Sequence, residues 1–394
     1  MSEIPDFALL LLPITGGLAL AILSTRLSAR LPIPAPGIFL LAAAIASDVW
    51  TQLGEAVSIR TVERIAVVAL IAILLNGGMD IGWTRMRRSV NPVVSLGVLG
   101  TFLTAGLIAL VAHVLLGFSW TLAGIVGAAL APTDPAVMFS VLGGTEIRGR
   151  AGTILEGEAG VNDPAGIALM LGMIELATHT DATLVTVVSE FGIEMLVGLT
   201  AGFLGAQALI PIVARVKLGS EELRPVLLIA LAVVLYGVTS LLHGSGFLAV
   251  FVAGLVFGDA EIPAKREVEE FNRSLAGVAE IVVFAALGLT INLSGLPGSA
   301  WRDGAILTLA LVLVIRPLVV AVTLAQARLQ PGDRVFIAWS GLKGAVPILL
   351  AAFALLGGVD GAESVYGLVF VAVLFSVFGQ GSLVPAVARR VSRT

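Results

Sequence analysis

Three acids stand where a membrane-spanning helix tolerates hardly one. The apolar stretch 151–177, AGTILEGEAGVNDPAGIALMLGMIELA, carries Glu156, Glu158 and Asp163, with Asn162 before the aspartate and Pro164 after it. A charged side chain at the centre of an inserted helix costs about 2.5–3.5 kcal/mol on insertion scales. Such groups persist where they face a protein interior or a water-filled cavity, and by default they mark ion or proton pathways. Glu158 and Asn162, four apart, share one helix face, whereas Glu156 and Asp163, seven apart, share another. One face can then serve an ion pair while the other presents a carboxylate to a cavity. Burial favours the neutral form of an acid and a nearby cation favours the charged form, so a proton and a metal ion can compete for one carboxylate.

Three further charges lie deep in apolar runs. Arg316, in LTLALVLVIRPLVVAVTL, requires a carboxylate partner, because a buried charge left unpaired is far more costly than a pair. Glu158 is the favoured partner and Glu156 the rival. Asp134 lies in WTLAGIVGAALAPTDPAVMFSVL (120–142) between Pro132 and Pro135, and Lys343 lies in RVFIAWSGLKGAVPILLAAFALL (334–356) between Gly341 and Pro347. Proline removes a backbone donor and biases its predecessor away from helix, so both segments are expected to break near the middle. Backbone freed at that depth survives only where protein or cavity water satisfies it.

The elements that must position these groups follow from composition. The 394 residues are 58% hydrophobic and only 13% charged, against about 25% charged in soluble domains. Repeated apolar runs of about 20 residues are each long enough to cross a bilayer. The fold class is therefore an all-α integral membrane protein. Thirteen spans are expected, at 7–25, 33–50, 63–80, 91–117, 120–142, 151–177, 183–214, 224–242, 245–258, 268–291, 303–325, 334–356 and 364–388. With the N-terminus outside and the C-terminus inside, eighteen basic residues fall in inner loops, and only Arg60, Arg64 and Arg302 fall in outer ones, as the positive-inside rule requires. The segment 259–273 is expected to be a charged amphipathic linker. No cleavable signal peptide and no soluble regulatory domain are expected. Zero cysteines exclude disulfides and thiolate chemistry, and three scattered histidines argue no metal cluster.

In this topology the two interrupted spans run in opposite directions, with Asp134 and Lys343 209 positions apart. Paired breaks of opposite orientation point to an inverted repeat with a site at the midplane. Each break exposes a positive and a negative helix end; Asp134 can compensate the former and Lys343 the latter. The other intramembrane polar groups have blander readings. Glu175 is expected at the interface, Glu190 and Glu194 at an interface or subunit contact, His113 and His243 near outer helix ends, and Asn76 in helix packing. Glu280 is a possible secondary pathway residue, as is Glu156.

The motifs APTDP (131–135), EGEAGVNDP (156–164), RP (316–317) and GLKGAVPI (341–348), in this order and placement, resemble the first monovalent cation:proton antiporter family. That family includes bacterial sodium/proton and potassium/proton antiporters and animal sodium/proton exchangers. The resemblance covers essentially the whole chain. It implies a thirteen-span inverted-repeat fold with two discontinuous crossing helices, a mobile core (about 91–177 and 303–388) and a dimerising scaffold (about 7–80 and 183–291). Matched residue by residue, it makes Asp163 the carrier carboxylate supported by Asn162, has Thr133 and Asp134 complete the site, and pairs Glu158 with Arg316. An Asn-Asp pair rather than Asp-Asp implies electroneutral exchange of one cation for one proton. Two positions depart from the family pattern: Lys343 where arginine is usual, and Ala159 where serine or threonine commonly follows the glutamate.

The expectation is a secondary antiporter in the plasma (inner) membrane, exchanging H⁺ for Na⁺ or K⁺, and the resemblance implies a homodimer. The only metal expected is the transported cation, at Asp163, Asp134 and Thr133, with no cofactor and no nucleic-acid partner. A cation or proton channel is the alternative. An intramembrane enzyme is disfavoured, since the chain has no HExxH, no cysteine and no credible histidine–serine dyad.

Overall fold

The computed structural model describes residues 34–50, 53–54, 57–134, 137, 150–179, 182–217 and 219–391. The span expected at 7–25 lies outside them, as do Pro135 and most of the second half of the span expected over 120–142. The count of thirteen therefore extends beyond the described residues. Among these residues all regular structure is helical.

Helices α1 (Ala35–Val49), α2 (Ile59–Ile81), α3 (Val90–Leu116) and α4 (Trp120–Leu130) are followed by α5 (Arg150–Thr178) and α6 (Leu184–Arg215). Then come α7 (Arg224–Leu241), α8 (Gly246–Asp259), α9 (Lys265–Leu289) and α10 (Gly298–Thr323). Helices α11 (Pro331–Trp339), α12 (Ala345–Leu356) and α13 (Ala362–Arg390) complete the chain. Several starts are set by hydroxyl caps that satisfy an otherwise orphaned donor: Ser58 accepts from Thr61 N at 3.1 Å, Thr183 from Thr186 N at 3.2 Å and Ser245 from Leu248 N at 3.3 Å.

Among the described residues seven helices are long and apolar enough to cross a membrane: α2, α3, α6, α9, α10, α13 and the segment Glu221–Leu241 that contains α7. Helix α5 is not among them, although it has 29 residues. Its burial explains how it tolerates its acids. Every residue from 157 to 170 is buried within the protein, whereas α6 turns Val185, Val188, Leu196, Leu199 and Phe203 outward. Glu158 and Asp163 of α5 thus face protein, and α6 is one of the helices that turn apolar side chains outward.

Helix α5 stands between two packed groups. On one side α2 packs against α8 and α9, α1 against α9, and α6 against α8. On the other, α3 packs against α4, and α13 against α10 and α12. Helix α5 touches members of both. At Gly160 an added Cβ would lie 2.0 Å from the Phe251 ring of α8, so only glycine lets α5 approach there.

Three helices of the second group contain a π-helical turn: Ser95–Leu99 in α3, Leu311–Ile315 in α10 and Phe375–Gln380 in α13. Such turns frequently sit at functional sites. One precedes Arg316 directly, and another carries Ser376 and Gln380, whose role is described below.

The structure corrects the expected linker at 259–273. Only 260–264 is irregular, and α9 begins at Lys265, directly after Ala264 in a left-handed conformation (φ 52°). Charge pairs on the helix surface explain the earlier start: Arg266 bonds Glu270 at 2.8 Å and Lys265 approaches Glu269 to 3.9 Å, both four residues apart. Arg273 reaches Asp80 of α2 at 3.0 Å. Asn76, expected to serve helix packing, instead donates to Asp80 at 2.9 Å on an exposed face.

Candidate functional site

Helix α4 stops at Leu130, and Ala131–Asp134 is irregular, as its prolines require. Helix α11 stops at Trp339, and the chain resumes as α12 after Gly344. Pro347, expected as part of this break, lies inside the first turn of α12, where proline's missing donor costs little. The two irregular segments cross: Asp134 N donates to Leu342 O at 2.8 Å.

The charges in the breaks satisfy each other's helices. Lys343 Nζ donates to Ala131 O at 2.9 Å and Pro132 O at 2.8 Å, the carbonyls just past the end of α4. The Asp134 carboxylate lies against the N-terminus of α12, so close that a Cβ on Gly344 would be 1.9 Å from Asp134 Oδ2. A cation at a C-terminus and an anion at an N-terminus both oppose the local helix dipole. Gly341, the other glycine flanking Lys343, makes room for a second charge, since its Cβ would meet Arg316 Nε at 2.5 Å.

Arg316 holds Glu158 through two parallel bonds, Nη1 to Oε1 at 2.5 Å and Nη2 to Oε2 at 2.7 Å, with both side chains almost fully buried. This bidentate geometry is the strong form of the pair. Glu156, the rival candidate, lies 3.5 Å from Arg85 in a partly exposed position. It does not share the environment of Asp163, as the seven-residue spacing suggested. Only the Asp163 end of that face is enclosed by other helices.

Thr133 links the ion pair to the amide beside Asp163. Its hydroxyl donates to Glu158 Oε1 at 3.2 Å and accepts from Asn162 Nδ2 at 2.8 Å. Asp163 itself is 8% exposed, and its Oδ1 is buried without a hydrogen-bond partner, as is Asn162 Oδ1. Asp134, Lys343 and Glu158 all lie within electrostatic reach of the Asp163 carboxylate. Glu280 lies on α9 with its Oε1 likewise buried and unpartnered. Adjacent unsatisfied acceptor oxygens can be satisfied by a proton on the carboxylate or by a cation.

Two residues that sequence reading passed over hold the second break open. Lys343 N donates to Ser376 Oγ at 2.9 Å, Ser376 Oγ donates to Gln380 Oε1 at 3.0 Å, and Gln380 Nε2 donates to Trp339 O at 2.5 Å. The signal was present as a serine and a glutamine four apart in the apolar run of α13.

Comparison with known proteins converges on one family. The transmembrane sodium/hydrogen exchanger family matches residues 17–390. The K(+)/H(+) antiporter NhaP2 of Shewanella sp. (strain ANA-3) is 32% identical over 94% of this chain and 65% of its own length. The chain thus spans slightly under two thirds of that relative. The Na(+)/H(+) antiporter NhaH of Halobacillus aidingensis is 30% identical, with 84% of each chain covered. Among solved structures, the sodium proton antiporter MjNhaP1 of Methanocaldococcus jannaschii superposes with a TM-score of 0.82 over 100% of this chain and 99% of its own, at 22% identity. That likeness gives the fold, the one that this antiporter adopts. With the family match spanning nearly the whole sequence, the chain belongs to the sodium/hydrogen exchanger family.

Proposed function

We propose that the protein is a secondary active monovalent cation:proton antiporter, exchanging one H⁺ for one Na⁺ or K⁺ at Asp163. The observation that carries this reading is the unpartnered, buried Oδ1 of Asp163 beside two crossed helix breaks. Around it the charges are otherwise matched: Glu158 by Arg316, and Asp134 and Lys343 each by a helix end. Among the described acids at the crossing, Asp163 is then the one left to be neutralised from outside. One exchangeable charge carries either one proton or one monovalent cation, which makes the exchange electroneutral.

In this reading, Asp163 binds a largely dehydrated cation with help from Asn162 Oδ1, the Thr133 hydroxyl, the Asp134 carboxylate and broken-helix carbonyls. Residues 91–177 and 303–388 form a core that moves against a scaffold of 7–80 and 183–291, with the scaffold forming a homodimer. Reorientation occurs only with the site neutralised, because carrying a bare carboxylate past apolar walls is too costly. The chain lies in the plasma membrane with its N-terminus outside and its C-terminus in the cytoplasm. No cofactor takes part. The relatives' names divide between K⁺ and Na⁺, so both cations are candidates.

The test is purified protein in liposomes, following lumenal pH while Na⁺ or K⁺ is added outside. Wild type and Asp163→Asn are compared with and without a clamped membrane potential. Cation-dependent proton movement that ignores the potential and disappears in Asp163→Asn is expected. Proton or cation flux without a counter-ion would replace antiport by the channel reading, and flux surviving in Asp163→Asn would move the carrier elsewhere.

A further inference from the structure

Glu280 stands at the edge of the buried apolar stripe of α9. On α9 one flank of Glu280 is buried (Ala276, Val283, Phe284 and Leu287), whereas Arg273 and Gly277 on the other flank are exposed. A carboxylate that reaches into that stripe demands a partner. Yet Glu280 Oε1 is buried with no hydrogen bond, while the residue as a whole is only partly enclosed, so the side chain reaches from an accessible edge into the interior.

Its neighbourhood connects it to the site. Helix α9 packs against α12, the helix whose N-terminus holds the Asp134 carboxylate. Asp134 lies within electrostatic reach of Glu280 on one side and of Asp163 on the other. Asp134 is thus an electrostatic neighbour common to Glu280 on α9 and Asp163 on α5. Three buried oxygens on these two helices lack hydrogen bonds: Glu280 Oε1, Asn162 Oδ1 and Asp163 Oδ1. All can accept, so a hydrogen-bond donor, a proton or a cation can satisfy them. Helix α5 and the two breaks belong to the packed unit proposed to move, whereas α9 packs chiefly on α1 and α2 of the other unit.

We propose that Glu280 is a second cation-binding carboxylate, fixed on α9, that receives the monovalent cation beside Asp134 as it enters or leaves the Asp163 site. This rests on the antiport reading above. Glu280 raises the occupancy of the site by the cation without being the group whose charge is exchanged. Its removal weakens cation binding and leaves the reorientation of a loaded core intact.

The experiment is the liposome exchange assay across a cation titration, with wild type, Asp163→Asn, Glu280→Gln and Glu280→Asp side by side. Glu280→Gln is expected to raise the apparent KM for the transported cation by about fivefold or more with kcat within about twofold, the pattern of lost ground-state binding. Glu280→Asp keeps the charge but withdraws it by one methylene, and is expected to raise KM by less. A wild-type KM in Glu280→Gln, or a fall in kcat at unchanged KM, overturns the proposal and marks Glu280 as structural. Should the glutamine variant fail to fold, a wild-type KM in Glu280→Asp overturns it alone. The two readings fail differently. Wild type without exchange removes antiport and this proposal together, whereas exchange that is lost in Asp163→Asn but unaltered at position 280 removes only the role of Glu280.

Discussion

Lys343 and Asp134 exchange helices. Each lies in the break of one crossing helix and compensates an end of the other, Lys343 at the carbonyls of Ala131 and Pro132 and Asp134 at the N-terminus of α12. The crossing is therefore held by charge and hydrogen bonds as well as by the backbone bond from Asp134 N to Leu342 O.

The first consequence concerns Lys343. Lys343→Met removes both donors and leaves two carbonyls with no side-chain cation. Each hydrogen bond to a charged group is worth about 1.5–3 kcal/mol, so a lowered midpoint of thermal unfolding in detergent is expected. Lys343→Arg, which keeps a cation with several donors, is expected to fall much less. Equal midpoints for wild type and Lys343→Met would show that the ammonium contributes nothing to the crossing.

The Glu158–Arg316 pair is expected to behave as a unit. Breaking a buried pair by removing one partner costs about 3–5 kcal/mol, because the other charge stays buried alone. Arg316→Met should thus be severely destabilised, and the double substitution Glu158→Gln with Arg316→Met should recover part of the loss. A denaturation series on the two singles and the double measures this, and strict additivity of the singles would contradict it.

Gly344 separates geometry from stability. Gly344→Ala puts a methyl where Asp134 Oδ2 now lies, at 1.9 Å. It is expected to displace that carboxylate and cut exchange by about tenfold or more, the scale reached when a site group is misplaced by an ångström. Gly106→Ala, where an added Cβ meets nothing within 4 Å, is the control and should leave exchange unchanged.

The contact between Gly160 and Phe251 is open to rescue. Gly160→Ala drives a methyl into the Phe251 ring, and overpacking of this kind costs about 1–3 kcal/mol. Phe251→Ala removes the obstructing ring, so the double variant should be more active than Gly160→Ala alone. Transport rates of the four proteins in the cycle decide it.

Much of this arrangement was legible in the sequence because apolar runs and prolines are local signals. The expected run 183–214 differs from α6 by one residue at each end and 224–242 from α7 by one at its C-terminal end, and both breaks fall where proline and glycine interrupt hydrophobic runs. The start of α9 was not legible by hydropathy, since its first turns are charged and gain helix support from surface ion pairs. The partner of Glu156 was hidden because Arg85 lies 71 positions away, with nothing local to indicate the approach. Ser376 and Gln380 were missed for a different reason. One hydroxyl and one amide barely change the hydropathy of α13, yet they satisfy backbone groups of another helix. Which helix each break charge serves is likewise a tertiary fact, invisible to the spacing of Asp134 and Lys343.

The reciprocal arrangement of Lys343 and Asp134 also sets an order of assembly. The carbonyl of Pro132 waits for an ammonium 211 positions further along the chain. At about 5–20 residues per second of synthesis, the first crossing helix spends roughly ten to forty seconds in the bilayer before its cap exists. During that interval the end of α4 must be served by water or by the insertion machinery. The second half of the chain thus acts as the folding template of the first, and two halves made as separate polypeptides are expected to become stable only when they meet.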